Sequence, residues 1–278
     1  GMVSSERVLK VLDTEEFIED KGTIEKKING TIRFENVWFA YNEAANPKDT
    51  EWILKDVSFE INSGETLALI GATGAGKSSI INLVGRMYEF QKGRITIDGI
   101  DIREYKLDAL RTQIAVVLQD VFLFSDTITN NITLNDPSIT DQQVLEASKA
   151  VGADSFIDRL PGNYNFNVME RGAMLSVGQR QLISFIRAYV FQPSVLILDE
   201  ATSSIDSDSE ELIQKATATL TKGRTSIVIA HRLATIQNAD KIIVMDHGKV
   251  VEQGNHQELL RKGGHYKELY DIQFKGRM

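Results

Sequence analysis

The stretch Thr66-Leu-Ala-Leu-Ile-Gly-Ala-Thr-Gly-Ala-Gly-Lys-Ser78 decides the fold. Thr66 to Ile70 is an apolar run of strand length, glycines follow at 71, 74 and 76, and Ser78 to Met87 has helical periodicity. Gly71 to Ser78 fits G-x-x-x-x-G-K-[ST] in the strand-then-helix context that the pattern requires. Glycines let the backbone curl so that successive N–H groups face phosphate oxygens, and the helix start adds its partial positive charge. Gly71, Thr73, Gly74, Ala75, Gly76 and Ser79 would then belong to a phosphate cradle. Lys77 would reach the β- and γ-phosphates, and the Ser78 hydroxyl would ligate Mg²⁺. The bland alternative is a glycine-rich turn carrying a surface lysine, and the flanking strand and helix weigh against it.

A second buried strand, Val195 to Leu198, ends in Asp199 and Glu200. A strand delivering one carboxylate to a Mg²⁺ shell and a second toward an attacking water has this form, with Asp199 on the metal side and Glu200 as general base. Standing alone, the pair would read equally well as solvated acids closing a strand. A third strand, Thr225 to Ala230, stops at His231, so the polar residues fall just beyond strand C-terminal ends, where doubly wound parallel sheets bind ligands.

Outward from this core, Thr31 to Phe39 and Val57 to Ile61 alternate and predict an antiparallel sheet at the N-terminus. Between Asp120 and Pro193 strand signal is weak, while Asp141 to Val151 and Ser176 to Val190 read as helices opened by capping residues, which predicts a mostly helical insertion over about 120–193. Lys241 to Met245, Lys249 to Gln253, Gln257 to Leu260 and Tyr266 to Ile272 complete an α/β core. Val8, Leu9, Val11 and Leu12 suggest a short amphipathic helix, followed by polar residues to Asn29, and Gly1 before Met2 reads as a tag remnant.

Composition sets the outer bounds. The 278 residues are 42% hydrophobic and 25% charged, contain no cysteine, and carry a formal net charge of −8. There is no thiolate metal site, and His231, His247, His256 and His265 lack ligand-like spacing. No run of Lys and Arg forms a stripe for a phosphate backbone, which argues against nucleic acid as a partner. The longest apolar runs are far short of the roughly 20 residues of a bilayer-spanning helix.

With these elements placed, the chain from about Ile32 to Phe274 resembles the nucleotide-binding domain of ABC transporters. Tyr41 stands where that family stacks an aromatic residue on adenine. Gln119, in Val116-Val-Leu-Gln-Asp120, matches the glutamine that touches Mg²⁺ and signals to the membrane domain. Leu175-Ser-Val-Gly-Gln179 resembles the signature LSGGQ, through which Ser176, Gly178 and Gln179 would reach the γ-phosphate held by a partner. Ser203-Ser-Ile-Asp206 matches the D-loop, and His231 the switch histidine. Each has a plainer reading: a sheet tyrosine, a polar strand end, a helix cap, a loop acid, a core histidine. Order and spacing together carry the resemblance.

The resemblance implies a P-loop core with a mostly parallel sheet, an antiparallel β subdomain and an inserted helical subdomain. It also implies MgATP hydrolysis in a head-to-tail dimer of two nucleotide-binding domains, driving a transmembrane domain from the cytoplasmic face of the membrane. Residues 1–29 would be a linker from that transmembrane part, and 30–278 the ATPase domain. Asn167-Val-Met-Glu-Arg-Gly172 resembles the exporter-type segment facing the coupling helices, which favours export over import. Val177 departs from the family glycine. A β-branched residue disfavours positive φ and adds bulk beside a phosphate, so a weakened signature paired with a different half-transporter is one expectation. A nucleotide-gated clamp on nucleic acid or ribosomes is the reading from another class, and the acidic balance and lack of a coiled-coil insertion oppose it.

Overall fold

The structure, a computed structural model, describes residues 18–200 and 205–275. The helix expected near Val8 and the residues Ser203 and Ser204 lie outside the described residues. The first five strands are β1 (Ile32–Phe39), β2 (Leu54–Ile61), β3 (Thr66–Gly71), β4 (Lys92–Ile97) and β5 (Ile100–Asp101). They are followed by β6 (Ile114–Val117), β7 (Val195–Asp199), β8 (Thr225–Ile229), β9 (Lys241–Asp246) and β10 (Lys249–Gly254). The helices are α1 (Lys77–Val84), α2 (Leu107–Arg111), α3 (Ile128–Thr133), α4 (Asp141–Val151) and α5 (Asp154–Asp158). The remainder are α6 (Val177–Val190), α7 (Ser207–Thr221), α8 (Leu233–Asn238), α9 (His256–Lys262) and α10 (His265–Gln273).

The larger sheet has the order β10-β9-β3-β8-β7-β6, parallel except for the closing β9–β10 hairpin. Its inner strands are apolar on both faces, as strands covered on both sides must be. Leu67, Leu69, Ile197, Ile227, Ile229, Ile243 and Met245 pack with α1 and the smaller sheet. The alternate residues Ala68, Ile70, Leu196, Leu198, Val228, Ile242 and Val244 pack with the helical side. Register sets the functional edge. Leu69 pairs with Ile229 and Asp199 with Ile229, so Gly71, Asp199 and His231 emerge within two residues of one level.

The smaller sheet has the order β2-β1-β4-β5 and is antiparallel, as expected, but half of it comes from beyond the glycine-rich loop. In β4 the exposed Lys92, Gly93 and Arg94 interrupt the alternation, and only Ile95, Thr96 and Ile97 are buried. The insertion between β6 and β7 is helical as predicted. Asp141 to Val151 is reproduced residue for residue behind the Thr140–Gln143 capping box. The helix expected over Ser78 to Met87 stops at Val84. Arg86 takes a left-handed φ of 53°, and its N–H and that of Met87 turn back to the carbonyls of Leu83 and Asn82, closing the helix in a Schellman pattern.

The stretch expected to be linker is bound to the domain from Asp20 to Asn29. Asp20 accepts from the Leu107 N–H, the Thr23 and Ile24 N–H groups donate to the Glu104 carbonyl, and Ile28 is fully buried. Gln113, just before β6, is the main fastening: its Oε1 accepts the Ile28 N–H at 2.7 Å, and its Nε2 donates to the carbonyls of Lys26 and Ala109 at 2.9 and 3.0 Å. Replacing Gln113 by Ala removes these bonds and leaves partly buried groups unpaired. The expected loss is about 1–3 kcal/mol of stability, with faster amide exchange at Lys26 to Ile28. Denaturant unfolding and hydrogen exchange check it, and unchanged exchange in that segment would contradict the fastening.

Candidate functional site

Between β3 and α1 the loop is shaped by close backbone approach. A Cβ on Gly71 would lie 2.4 Å from the Met245 carbonyl oxygen, and one on Gly76, at φ 106°, would lie 2.8 Å from Leu54 Cδ2. Ala75 is buried, donates its N–H to the Ala72 carbonyl and accepts from the Gly248 N–H. At Gly74 the surroundings are open. Gly76 is the N-cap of α1 and offers no side-chain cap, so the first N–H groups of the helix have no partner within it. That is the arrangement in which an anion completes the helix end.

A cleft of ≈ 430 Å³ opens above this loop, lined by Tyr41, Ile53, Thr73, Gly74, Gly76, Lys77, Ser78, Ser79, Gln119, Asp199, Ile229 and His231. Most of the residues expected at a phosphate site therefore meet in one hollow. Lys77 Nζ donates to the Gly71 carbonyl at 2.6 Å, and burial holds its ammonium below the usual lysine range, with Asp199 opposing the shift. Asp199 is pushed above the usual carboxylate range, first by burial and further by Asp120, while Lys77 draws it back. Gln119 Nε2 donates to the Glu200 carbonyl at 3.2 Å, joining the end of β6 to that of β7. The Tyr41 ring stands edge-on to Phe39 and Tyr88, at 4.8 and 4.9 Å between centroids, and its hydroxyl meets the buried Ser79 hydroxyl at 3.2 Å.

Glu200 is adjacent to the cleft yet does not line it. Its side chain is 1% exposed and Oε2 accepts from Arg232 Nη1 at 3.1 Å. Among the described residues Oε1 has no well-formed hydrogen bond, although the Thr235 hydroxyl and the His231 N–H lie near enough to favour the anion. Burial dominates and raises the Glu200 carboxyl, with Arg232 the leading opposing influence. Sequence reasoning did not find Arg232, whose adjacency to His231 was the available signal. It also missed Ile53.

The signature residues lie apart from this cleft. Ser176 caps α6 in a reciprocal box: Ser176 Oγ accepts the Gln179 N–H at 3.1 Å and Gln179 Oε1 accepts the Ser176 N–H at 3.0 Å. Gly178 owes its lack of a side chain to the neighbouring helix, since a Cβ there would lie 2.6 Å from Ser209 Cβ. Asp206 caps α7 through the Ser209 N–H at 3.0 Å, which lowers its carboxyl. Val177 is the first residue of α6 with φ in the ordinary negative range, so the positive-φ strain expected there is absent and only its side-chain bulk remains. The Asn167 to Gly172 segment bridges to Thr127, and Gly172 sits against Leu123 and Arg180.

On the far side of the Gln119 loop is an apolar hollow of ≈ 460 Å³, with Val116, Leu118, Phe122, Leu134 and Phe191 as exposed hydrophobic lining. Leu118 and Asp120 face this hollow and Gln119 the other. Among the described residues no cluster of three or more His, Cys, Asp or Glu could hold a metal, and no helix is long and apolar enough to cross a membrane.

An uncapped helix start behind a glycine loop, a half-buried lysine and an acid at the end of a parallel strand define a P-loop nucleotide-binding fold. The family model for ABC transporters matches residues 54–203, and the chain belongs to that family. It is 51% identical over 276 residues to the uncharacterized ABC transporter ATP-binding protein YknV of Bacillus subtilis, covering 99% of this chain and 45% of that protein. It is 45% identical over 278 residues to the ATP-dependent lipid A-core flippase of Legionella pneumophila (strain Paris), covering 100% of this chain and 46% of that one. A solved bacterial Atm1-family ABC exporter with ATP bound matches with a TM-score of 0.82 at 36% identity, over 98% of this chain and 47% of its own. The chain spans about half the length of the relatives it matches.

His231 lines the cleft beside two cations, and burial, Lys77 and Arg232 all act to lower its pKa from 6.5. The imidazole is therefore neutral at pH 7, and protonation is deferred to lower pH. An NMR titration of the ring should give a midpoint below 6.5, and Lys77→Met should move it upward. A midpoint above 6.5 in the parent would contradict this electrostatic picture.

Proposed function

We propose that this chain is the ATP-binding and ATP-hydrolysing domain of an ABC exporter, acting in a head-to-tail dimer with a second nucleotide-binding domain at the cytoplasmic face of a membrane. The observation that carries the reading is the single cleft that gathers the uncapped start of α1, Lys77 and Asp199. A polyphosphate supplies acceptors to those N–H groups and an anionic partner to the lysine, whose present acceptor is the neutral Gly71 carbonyl. Ser78, Gln119 and Asp199 offer hard oxygen donors, too few for an all-protein cage, which suits Mg²⁺ that keeps waters and shares its sphere with phosphate. Bound there, Mg²⁺ neutralises charge on the phosphoryl group being transferred.

The residues of the chain divide the remaining work. Tyr41 offers its ring to adenine. Lys77 exchanges the neutral Gly71 carbonyl for an anionic phosphate oxygen, so that its ammonium gains a counter-charge as well as an acceptor. Glu200 accepts the proton of the attacking water, and neutral His231 donates to the γ-phosphate. Because Ser176 Oγ spends a lone pair on the Gln179 N–H, its hydroxyl hydrogen stays free to donate across the dimer to the partner's nucleotide, alongside the N–H of Gly178. Gln179 and Asp206 sit at the starts of α6 and α7, where they reach the same interface.

The apolar hollow beside Gln119 is the surface we assign to the transmembrane domain. One short loop then has Gln119 in the nucleotide cleft and Leu118 with Phe122 in the docking surface, so that occupancy of either displaces the other. The Asn167 to Gly172 segment, whose Gly172 sits against Leu123 next in sequence to Phe122 of the hollow, favours export by its resemblance, as does the similarity to an exporter and a flippase.

Glu200→Gln keeps the shape of the side chain but cannot take a proton. The expected result is unchanged MgATP affinity, a more persistent ATP-bound dimer and a turnover lower by about 10²–10⁴-fold. Phosphate release and size-exclusion chromatography read these. Turnover at the parent rate would mean that another group is the base.

A further inference from the structure

Arg232 is shared between two carboxylates. Its Nη1 donates to Glu200 Oε2 at 3.1 Å, and its Nε faces Glu210 Oε1 at 3.4 Å from α7. Arg232 is 11% exposed and Glu200 1%, while Glu210 is 46% exposed. The guanidinium thus links the end of β7 to α7 across the residue that opens α8. Its neighbour in sequence, His231, lines the nucleotide cleft.

This sharing bears on how a water could be activated. A carboxylate turns about a terminal torsion that is broad and roughly twofold, so an unrestrained Glu200 presents either oxygen in many directions. A base must have one lone pair aimed along the path of the proton it takes. Here one arm of the Arg232 guanidinium, Nη1, donates to Oε2, and among the described residues Oε1 is the buried oxygen with no well-formed hydrogen bond, the Thr235 hydroxyl and the His231 N–H standing near the carboxylate. Glu210 in turn restrains the guanidinium, and it stands one residue after Ser209, against which Gly178 of the signature packs. A displacement of α7 therefore reaches Glu200 through a single side chain.

We propose that Arg232 is a positioning residue for Glu200: steadied by Glu210, it holds Oε2 and leaves Oε1 as the oxygen that accepts the proton of the attacking water. The inference rests on the assignment of Glu200 as base made above. Lysine in its place would keep the charge but make a point contact instead of a fork.

The test measures steady-state ATP turnover and nucleotide affinity for Arg232→Ala, Arg232→Lys and Glu210→Gln, with Glu200→Gln as reference. Arg232→Ala is expected to lower kcat by roughly 10- to 100-fold while ATP affinity stays within about twofold of the parent. Arg232→Lys should recover part of that loss. Glu210→Gln should lower kcat by about two- to fivefold in the parent and add nothing in the Arg232→Ala background, and Arg232→Ala should add nothing to Glu200→Gln, because residues acting as a unit are not additive. Parent-like kcat in Arg232→Ala, or an equal loss of nucleotide affinity with additivity on Glu200→Gln, overturns the proposal. If Arg232→Ala does not fold, the exposed Glu210→Gln decides alone, and a parent-like kcat overturns it. A Glu200→Gln variant that turns over normally removes the base assignment and this inference with it. An inactive Glu200→Gln beside an active Arg232→Ala removes only the role of Arg232.

Discussion

Everything at the site depends on three parallel strands ending at one level. β3, β8 and β7 lie side by side in a register that pairs Leu69 with Ile229 and Ile229 with Asp199. A parallel arrangement places all their C-terminal ends on one edge, so a glycine loop, an acid pair and a histidine separated by as many as 160 residues emerge together. The strands hold that register because both of their faces are buried, and a slip by one residue would exchange the side chains packed against α1 for those packed against the helical side. The loop is locked to the same edge by the Gly71 approach to Met245 on β9, where no side chain fits.

Electrostatics at that edge follow from partial burial. Lys77 is lowered, Asp199 and Glu200 are raised and His231 is lowered, so every one of these groups is displaced toward its neutral form. Burial leads in each case; Lys77 and Asp199 oppose it for one another and Arg232 opposes it for Glu200, while at His231 the cations Lys77 and Arg232 act with it. Such a cluster gains from a ligand that carries both a polyanion and a divalent cation, because each part supplies the counter-charge that the protein withholds. The Arg232 pairing belongs to the same balance of charge: its guanidinium is the leading influence against the upward push that burial exerts on the Glu200 carboxyl.

The elements legible in the sequence were those whose signal is local. The β3–loop–α1 unit, the apolar runs of β7, β8 and β9, and the capped helices α4 and α6 carry periodicity and punctuation within a dozen residues. β4 escaped because half of it faces solvent and its pairing with β1 spans the whole loop unit. Residues 20–29 read as linker because their polar character conceals backbone bonds to Glu104, Lys106 and Gln113 that only the folded chain creates. At the site, residue types and spacing marked Lys77, Asp199, Glu200 and His231, but the burial of Glu200 behind the cleft and its pairing with Arg232 are tertiary. The Val177 position shows the opposite error: a strained backbone inferred from residue type is an ordinary first turn of a helix.

The central claim is that the cleft above the glycine loop is where MgATP is held for hydrolysis. A crystal structure of the chain with Mg²⁺ and a non-hydrolysable ATP analogue tests it most directly. The account predicts phosphate oxygens against the N–H groups of Gly74 to Ser79, Lys77 Nζ turned from the Gly71 carbonyl to the β- and γ-phosphates, the metal beside Ser78 and Asp199, and adenine on Tyr41. Nucleotide density elsewhere on the chain, with Lys77 still on the Gly71 carbonyl, would contradict it.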